Sequence, residues 1–151
     1  MFGVFTRIVA AVDLDGDRSE AVLDTARELA AAMGAKVLVA HVQELERSAT
    51  LAGAGRPGLA IPAQPPADVE ERARHRIDAA VEELRRAGVD AEGRVQSSDG
   101  STAKELIEIA AAFGAELIVI GDRGSRMTDL LLGSVAHKVV HAAPCPVLLV
   151  R

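Results

Sequence analysis

The sequence predicts a single α/β domain built on an open, five-stranded parallel sheet with helices on both faces. Short apolar runs alternate along the chain with amphipathic stretches that have helical spacing. This alternation is typical of parallel sheets, because a parallel connection needs a crossover that is usually a helix. The chain has 151 residues, of which 49% are hydrophobic, enough for one buried core. We therefore expect one domain over residues 1–151.

The composition disfavours several classes of partner. The chain has 17 basic and 22 acidic side chains and a formal net charge of −5, which argues against a nucleic acid or an acidic membrane surface. Aromatic residues make up 2%, too few to build base-stacking platforms. No apolar run reaches the roughly 18 to 20 residues of a membrane span. A lone Cys145 fits a reducing compartment, so a cytoplasmic location is expected.

The first strand–helix–strand unit is predicted from two apolar runs that flank an amphipathic stretch. The first run, Arg7–Val12, predicts a buried strand. A helix follows, with Asp17 or Ser19 as its N-cap. Gly34 is expected to end this helix, because glycine adopts the left-handed conformation of a C-terminal cap. The second run, Lys36–Val42, then forms another buried strand.

The middle of the chain differs in composition. Residues 44–67 contain three glycines and four of the six prolines, which predicts a flexible crossover loop and not a linker between domains. Asp68 then caps a helix with a densely charged polar face. After it, Val89–Val95 alternates apolar and polar residues, which is typical of a half-exposed strand at a sheet edge.

Two further helices and two strands are predicted in the C-terminal part. Thr102–Glu105 has the spacing of a capping box and opens a helix. Leu117–Ile120 is a fourth buried strand, followed by a helix from about Leu130 to His141 and a last strand at Val147–Val150. The last strand is apolar on both faces although it is expected at an edge. Because such an edge usually has a cover, we predict a homodimer through Val147–Val150.

Two strand ends carry the residues that point to a ligand. Ligands of open parallel sheets bind at the carboxyl ends of the strands, where the strand order reverses. The first strand ends at Asp13, and the fourth runs into Gly121-Asp122-Arg123-Gly124, with Gly133-Ser134 further on. Glycines let backbone amides approach an anion, and a helix start favours phosphate. The spacing is thus compatible with a nucleotide site, and equally with glycines that only shape a loop.

Together these residues make the sequence similar to the universal stress protein family. The resemblance extends from Ile8 to Val150. It is carried by Val12-Asp13, His41-Val42, Ile118–Gly124, Leu132–Val135 and Pro144–Val147. It implies an adenine nucleotide alpha hydrolase-like fold with the sheet order 3-2-1-4-5. It also implies a dimeric regulatory protein of the stress response, which binds ATP as a signal to a partner protein.

The resemblance also implies roles for individual residues. Nucleotide-binding members of the family hold ATP with a Gly-x2-Gly-x9-Gly-Ser/Thr loop. Asp13 would contact the ribose hydroxyls or the shell of a Mg²⁺ ion, while Gly121 and Gly124 would pass under the ribose and phosphates. The implied adenine pocket comprises Ala11, Val42 and Ile120, and the residues implied to face the phosphates are Gly133, Ser134 and Val135.

Two features depart from this pattern. The second gap of the glycine loop, Ser125–Leu132, has eight residues where the pattern has nine. The facing loops are also rich in carboxylates, so a triphosphate there needs compensation by Mg²⁺ or by arginines. The carboxylates are Asp13, Asp15, Asp17 and Asp122, and the arginines are Arg123 and Arg126.

Other interpretations of the same residues remain open. One is a nucleotide-free dimeric interaction protein of the same fold. Another is a phosphatase similar to the haloacid dehalogenases, with Asp13 of an Asp-x-Asp-Gly run as its nucleophile. No residue is placed as a general base on a γ-phosphate, so we expect no catalytic residue and at most slow ATP hydrolysis. His137 and His141 have the spacing of a metal pair without a third ligand, and His41 is interpreted as a packing or hydrogen-bonding residue.

Overall fold

The computed structural model describes residues 4–14, 18–45, 67–122 and 133–151. Its strands are β1 (Arg7–Ala11), β2 (Lys36–Glu44), β3 (Ala91–Ser98), β4 (Leu117–Gly121) and β5 (Val147–Val150). Its helices are α1 (Ser19–Met33), α2 (Ala67–Arg86), α3 (Thr102–Phe113) and α4 (Ser134–Ala142). The strands pair in parallel in the order β3-β2-β1-β4-β5. The predicted fold class and strand order are confirmed.

The two faces of the sheet bury two separate apolar clusters. On β1, Ile8 and Ala10 point to the side of α1 and α2, whereas Val9 and Ala11 point to the side of α3 and α4. All four are at most 5% exposed. The central strands are apolar on both faces because helices cover both, as is usual in parallel sheets. The core therefore lies in two layers, one on each side of β1, β2 and β4.

The two edge strands are covered differently. β3 lies at one edge, as its alternating pattern predicted, and α2 packs closely on it. A side chain on Gly93 would place its Cβ 2.6 Å from Cγ2 of Ile77, so glycine is needed for this close approach. β5 forms the opposite edge, where Leu148 remains 38% exposed. Within the described residues, no helix is both long and apolar enough to span a bilayer.

The predicted start of α1 requires a correction. Arg18, and not Ser19, occupies the N-cap position, and it makes no side-chain cap hydrogen bond. Ser19 is the first helical residue, and its hydroxyl donates to the carbonyl of Asp13 instead. Asp17, the other predicted cap, lies outside the described residues. The side chain that would have capped the helix is therefore used to hold the preceding loop.

The start of α3 is shifted by one residue. Ser101 is the N-cap, and its Oγ accepts a hydrogen bond from the Lys104 amide at 3.3 Å. Thr102 is already helical, and its hydroxyl donates to a carboxylate oxygen of Glu44 at 2.9 Å. The predicted capping box beginning at Thr102 is therefore wrong, although a hydroxyl does cap the helix at the adjacent position.

The remaining boundaries differ by a few residues. β2 extends to Glu44 and α2 begins at Ala67, so both ends of the predicted crossover 44–67 belong to regular elements. Residues 46–66 lie outside the described residues, as do 130–132 of the predicted last helix. β3 runs from Ala91 to Ser98, later than the alternating Val89–Val95 predicted.

Candidate functional site at the ends of β1 and β4

The carboxyl ends of β1 and β4 lie side by side. Ala11 is in register with Ile120, and beyond the strands the Asp122 amide donates to the Val150 carbonyl at 2.9 Å. The chain after β1 leads directly to the half-buried Asp13. The structure thus brings together the two strand ends that the sequence analysis singled out, at the point where the strand order reverses.

Three residues assigned to the adenine pocket by resemblance lie on the same face of the sheet. Ala11, Val42 and Ile120 are 5%, 8% and 6% exposed and belong to the apolar cluster under α3 and α4. Val135, in the first turn of α4, packs against that cluster. Ala11, Val42 and Ile120 thus form the part of the buried cluster at the carboxyl edge of this face, which we call the apolar floor.

The backbone that follows β1 is held by side chains from three different elements. The Nδ1 atom of His41 lies 2.9 Å from the Val12 carbonyl oxygen, and the hydroxyl of Ser19 donates to the Asp13 carbonyl. From α2, the Arg76 guanidinium donates to the Leu14 carbonyl at 2.8 Å. Three consecutive carbonyls are therefore fixed by β2, α1 and α2, and the backbone position of Asp13 is fixed with them.

The hydrogen bond to the Val12 carbonyl identifies the tautomer of the neutral His41 ring. A carbonyl oxygen can only accept, so Nδ1 carries a proton, and in the neutral ring Nε2 is then the unprotonated nitrogen. The ring is 7% exposed on β2. The interpretation of His41 as a hydrogen-bonding residue is confirmed.

The start of α4 faces a buried carboxylate. Gly133 is the N-cap of α4, and its amide donates to Oδ1 of Asp122 at 3.4 Å. Asp122 is 6% exposed, and the positive end of the helix dipole favours its negative charge there. The Gly133 amide, expected to face phosphates, therefore lies next to a negative group of the protein itself. Ser134 follows as the exposed first residue of the helix.

Gly121 is explained first by packing. A Cβ at this position would lie 2.9 Å from Cβ of Arg18 and 3.5 Å from Cγ2 of Val22. Both contacts come from α1 and its cap, so glycine lets the start of this helix close on the end of β4. The remaining predicted residues of the glycine loop and its neighbours, Gly124, Arg123, Arg126, Asp15 and Asp17, lie outside the described residues.

The sequence analysis missed Arg18, the basic residue nearest to this edge on α1. Its Nη1 atom is buried and has no hydrogen-bond partner in the described part of the chain. It also missed Arg76, because nothing local in α2 indicates a contact with a loop 62 positions earlier. The only signal for Arg18 was its place at the end of an acidic loop, Asp13-Leu14-Asp15-Gly16-Asp17.

The other candidates for a site among the described residues are a histidine pair, Cys145 and a surface depression. Among the described residues, no three potential metal ligands cluster. His137 and His141 are exposed, with their ring centroids 4.5 Å apart in an edge-to-face arrangement. Burial raises the pKa of the Cys145 thiol above its ordinary value, because the thiolate is disfavoured where it is desolvated. A shallow depression of about 350 Å³ at the ends of β2 and β3 is lined by Glu44, Leu45, Ser98, Asp99 and Gly100.

Comparisons with known proteins agree with this architecture. The sequence model of the universal stress protein family matches residues 5–151. Universal stress protein YxiE of Bacillus subtilis is 32% identical over 154 residues, which cover 98% of this chain and 100% of that protein. The match to universal stress proteins extends over nearly the whole chain and includes the Asp-x-Asp-Gly run. That run is therefore accounted for without a phosphatase of the haloacid dehalogenase type.

Two solved structures with similar folds are described as nucleotide complexes. The universal stress protein from Archaeoglobus fulgidus in complex with dAMP has a TM-score of 0.70 and 28% identity, covering 98% of this chain and 99% of that one. A universal stress protein in complex with cAMP has a TM-score of 0.69 and 25% identity, covering 97% of each chain. The shared fold is adenine nucleotide alpha hydrolase-like. From its sheet order, its strand-end residues and these matches, the chain belongs to the universal stress protein family.

Proposed function

We propose that this protein binds an adenine nucleotide, ATP in particular, where β1 and β4 end, and that it acts as a dimeric regulatory protein in the stress response. One observation carries the nucleotide site. Ala11, Val42 and Ile120 form an apolar floor on one face of the sheet, at the edge where Asp13 follows β1. An adenine ring needs such an apolar surface, and a ribose needs an acceptor beside it.

The roles of the residues follow from their chemistry. The adenine lies against the apolar floor, and the carboxylate of Asp13 accepts from the ribose hydroxyls or contacts the shell of a nucleotide-bound Mg²⁺. By the same proposal, Gly121 and Gly124 are assigned to the ribose and phosphates, and Gly133, Ser134 and Val135 to the phosphates. The three held carbonyls of residues 12–14 support this proposal, because a fixed backbone lowers the entropy lost on binding.

The nucleotide acts as a signal and not as a substrate. A ligand that binds one conformation of the loops better than another shifts their populations, and so alters the surface offered to a partner protein. The lone Cys145 fits a reducing compartment, and we place this function in the cytoplasm.

Calorimetry tests the nucleotide site directly. Wild-type protein, first freed of any co-purified nucleotide, is titrated with ATP in Mg²⁺ and in EDTA. Asp13→Asn should weaken ATP binding roughly 10- to 100-fold, because a hydrogen bond to a charged acceptor is lost. Asp24→Asn is the matched control: it removes the same charge from an exposed position on α1, where Asp24 pairs with Arg27 at 3.2 Å. Its ATP affinity should stay within twofold of wild type.

The opposite result identifies the alternative function. If millimolar ATP gives no heat with or without Mg²⁺, the protein is a nucleotide-free interaction protein of the same fold. If ATP affinity falls equally in Asp13→Asn and Asp24→Asn, a general change of surface charge explains the loss and the assignment of Asp13 is wrong.

The dimer is proposed to form through β5. Leu148 is 38% exposed on this edge strand and Val140 of α4 is 40% exposed nearby in sequence, so pairing with a second copy would remove apolar surface and unpaired backbone groups from water. Leu148→Lys should convert dimer to monomer in sedimentation velocity. Val4→Lys, at a site 77% exposed, should leave the dimer intact. A monomeric wild-type protein, or a dimeric Leu148→Lys variant, would contradict the proposal.

A further inference from the structure

A buried cationic nitrogen without a partner stands out at the functional edge. Nη1 of Arg18 is buried and makes no hydrogen bond within the described ranges. The ion pairs formed between described residues do not include Arg18 either. An unsatisfied buried donor is costly, more so when it is charged, and native proteins rarely keep one without a reason. Because the residue as a whole is only partly buried, a ligand with acceptor oxygens at this edge is one group that would supply the missing partner.

We propose that Arg18 binds a phosphate group of the nucleotide, an inference that rests on the proposed function and assigns one of its ligand contacts. Guanidinium suits this role because its planar fork of donors matches phosphate oxygens and its charge persists at any physiological pH. Its weak hydration also makes burial of the free side chain less costly than burial of a lysine.

The packing of the start of α1 against β4 determines the position of the Cβ atom of Arg18. Cβ of Arg18 lies 2.9 Å from the position that a Cβ of Gly121 would occupy, so the side chain leaves α1 directly beside the end of β4. Asp122 comes next in the chain, and its carboxylate receives the amide of Gly133. Arg18 therefore lies at the end of β4 on the face covered by α1, whereas the proposed adenine floor lies at the same edge on the face covered by α3 and α4.

A nucleotide phosphate at this acidic edge needs a cation nearby to offset the repulsion from carboxylates. Asp13 and Asp122 are both acidic, and the amide of Gly133 already donates to Asp122. A phosphate brought there meets carboxylates of the same sign, which repel it. Arg18 forms no ion pair with Asp122, so its charge is not already neutralised by this neighbour. Among the described arginines at this edge, Arg76 already donates to the Leu14 carbonyl, so Arg18 with its unused donor is the one we assign to offset this repulsion.

The test distinguishes the contribution of the phosphate groups to affinity from that of the nucleoside. Wild type, Arg18→Met and the control Arg27→Met are titrated with adenosine, AMP and ATP. Methionine fills similar space without adding a polar group, and Arg27 is an exposed arginine of α1 whose loss changes the net charge equally. Arg18→Met should bind AMP and ATP roughly 10- to 100-fold more weakly and adenosine within twofold. Arg27→Met should match wild type for all three ligands.

Thermal unfolding provides a readout that does not depend on calorimetry. Without ligand, Arg18→Met should be at least as stable as wild type, since the unsatisfied nitrogen is gone. ATP should raise the Tm of wild type more than that of Arg18→Met. Inorganic phosphate is the second probe, because it tells a general anion site from one that needs the nucleoside. If Arg18→Met does not fold, Arg18→Lys keeps the charge but loses the fork and should show an intermediate loss of ATP affinity.

Failure of this inference and failure of the proposed function look different. If wild type binds ATP and Arg18→Met binds it equally well, Arg18 does not hold the phosphate, and the nucleotide function stands. If wild type binds neither adenosine nor ATP, the proposed nucleotide function is wrong, and so is the assignment of Arg18 to a nucleotide phosphate. Stabilisation by inorganic phosphate alone, lost in Arg18→Met, would then identify an anion site in a protein that binds no nucleotide.

Discussion

The two ends of the sheet use their polar groups in different ways. At the amino end, the amide and hydroxyl of Thr6 both donate to the carboxylate of Glu116. The Arg7 guanidinium donates to the Phe113 carbonyl at 2.7 Å and lies 5.4 Å from the centre of the Phe113 ring. At the carboxyl end, by contrast, Arg18 keeps a buried nitrogen without a partner in the described residues. The polar groups at the amino end are paired within the protein, whereas the carboxyl end carries the groups proposed to bind a ligand.

The helix ends follow the same division. α1 and α3 both finish at the amino end of the sheet in glycines with left-handed backbone, Gly34 at φ 68° and Gly114 at φ 73°. The amide of Gly34 donates to the Ala30 carbonyl, and that of Gly114 to the Ala110 and Ala111 carbonyls. These ends match the sequence prediction for Gly34, and they satisfy carbonyls that a helix otherwise leaves without donors.

The larger of two expected effects on stability concerns a glycine at each end. Gly34→Ala should lower the free energy of unfolding by about 1 to 2 kcal/mol, because alanine is strained at positive φ although no atom lies within 4 Å of the new Cβ. Gly100→Ala, beyond the carboxyl end of β3, also meets open space but has no positive φ, and it should be nearly neutral. Urea unfolding of both variants measures the difference. Equal stability in the two would show that the amino end is not specially constrained.

The smaller effect concerns pH. The hydrogen bonds from the hydroxyl and then the amide of Thr6 lower the pKa of Glu116 below its ordinary value. A lowered folded-state pKa adds stability that is present above the pKa of the unfolded chain and lost as pH falls through the folded value. Glu116→Gln should therefore reduce the Tm slightly at pH 7 and converge with wild type in acid. ATP affinity should not change, since this contact lies at the opposite end of the sheet from the proposed site.

A difference between Glu116→Gln and wild type that persists unchanged into acid would contradict this account, because a neutral hydrogen bond would then explain the effect. A loss of ATP affinity in either Gly34→Ala or Glu116→Gln, at full occupancy of the folded state, would remove the distinction between the two ends.

The elements of this fold were predictable because their signals are local. An apolar run of strand length, such as Leu117–Ile120, or a glycine at a helix end, such as Gly34, is specified by a few neighbouring residues. The caps were the weaker predictions. The prediction began the capping box of α3 at Thr102, whereas Ser101 is the N-cap and the Thr102 hydroxyl donates to Glu44 of β2. Ser19 was likewise diverted from capping by the Asp13 carbonyl.

The candidate site was predictable in outline and not in its contacts. Strand ends that carry Asp13 and Gly121 mark the edge where a ligand is expected, and their adjacency is confirmed. No local pattern shows that Arg76 reaches Leu14, or that Asp122 accepts from Gly133. Each of those contacts joins residues from separate elements, so each depends on how the helices dock.

Periodicity along the chain thus predicts the class of fold. Motif residues such as Asp13 and the run Gly121–Gly124 carry the resemblance to the family and mark the sheet edge where a ligand is expected. The contacts of Arg76 with Leu14 and of Gly133 with Asp122 were decided by the packing of segments that are distant in the chain. Arg18 illustrates the reason: its charge follows from the sequence, but the burial of Nη1 without a hydrogen-bond partner among the described residues depends on the folded structure, in which its Cβ lies beside Gly121 at the end of β4. Solvent exposure and hydrogen bonding belong to the assembled surface, because they depend on atoms contributed by residues far apart in the chain.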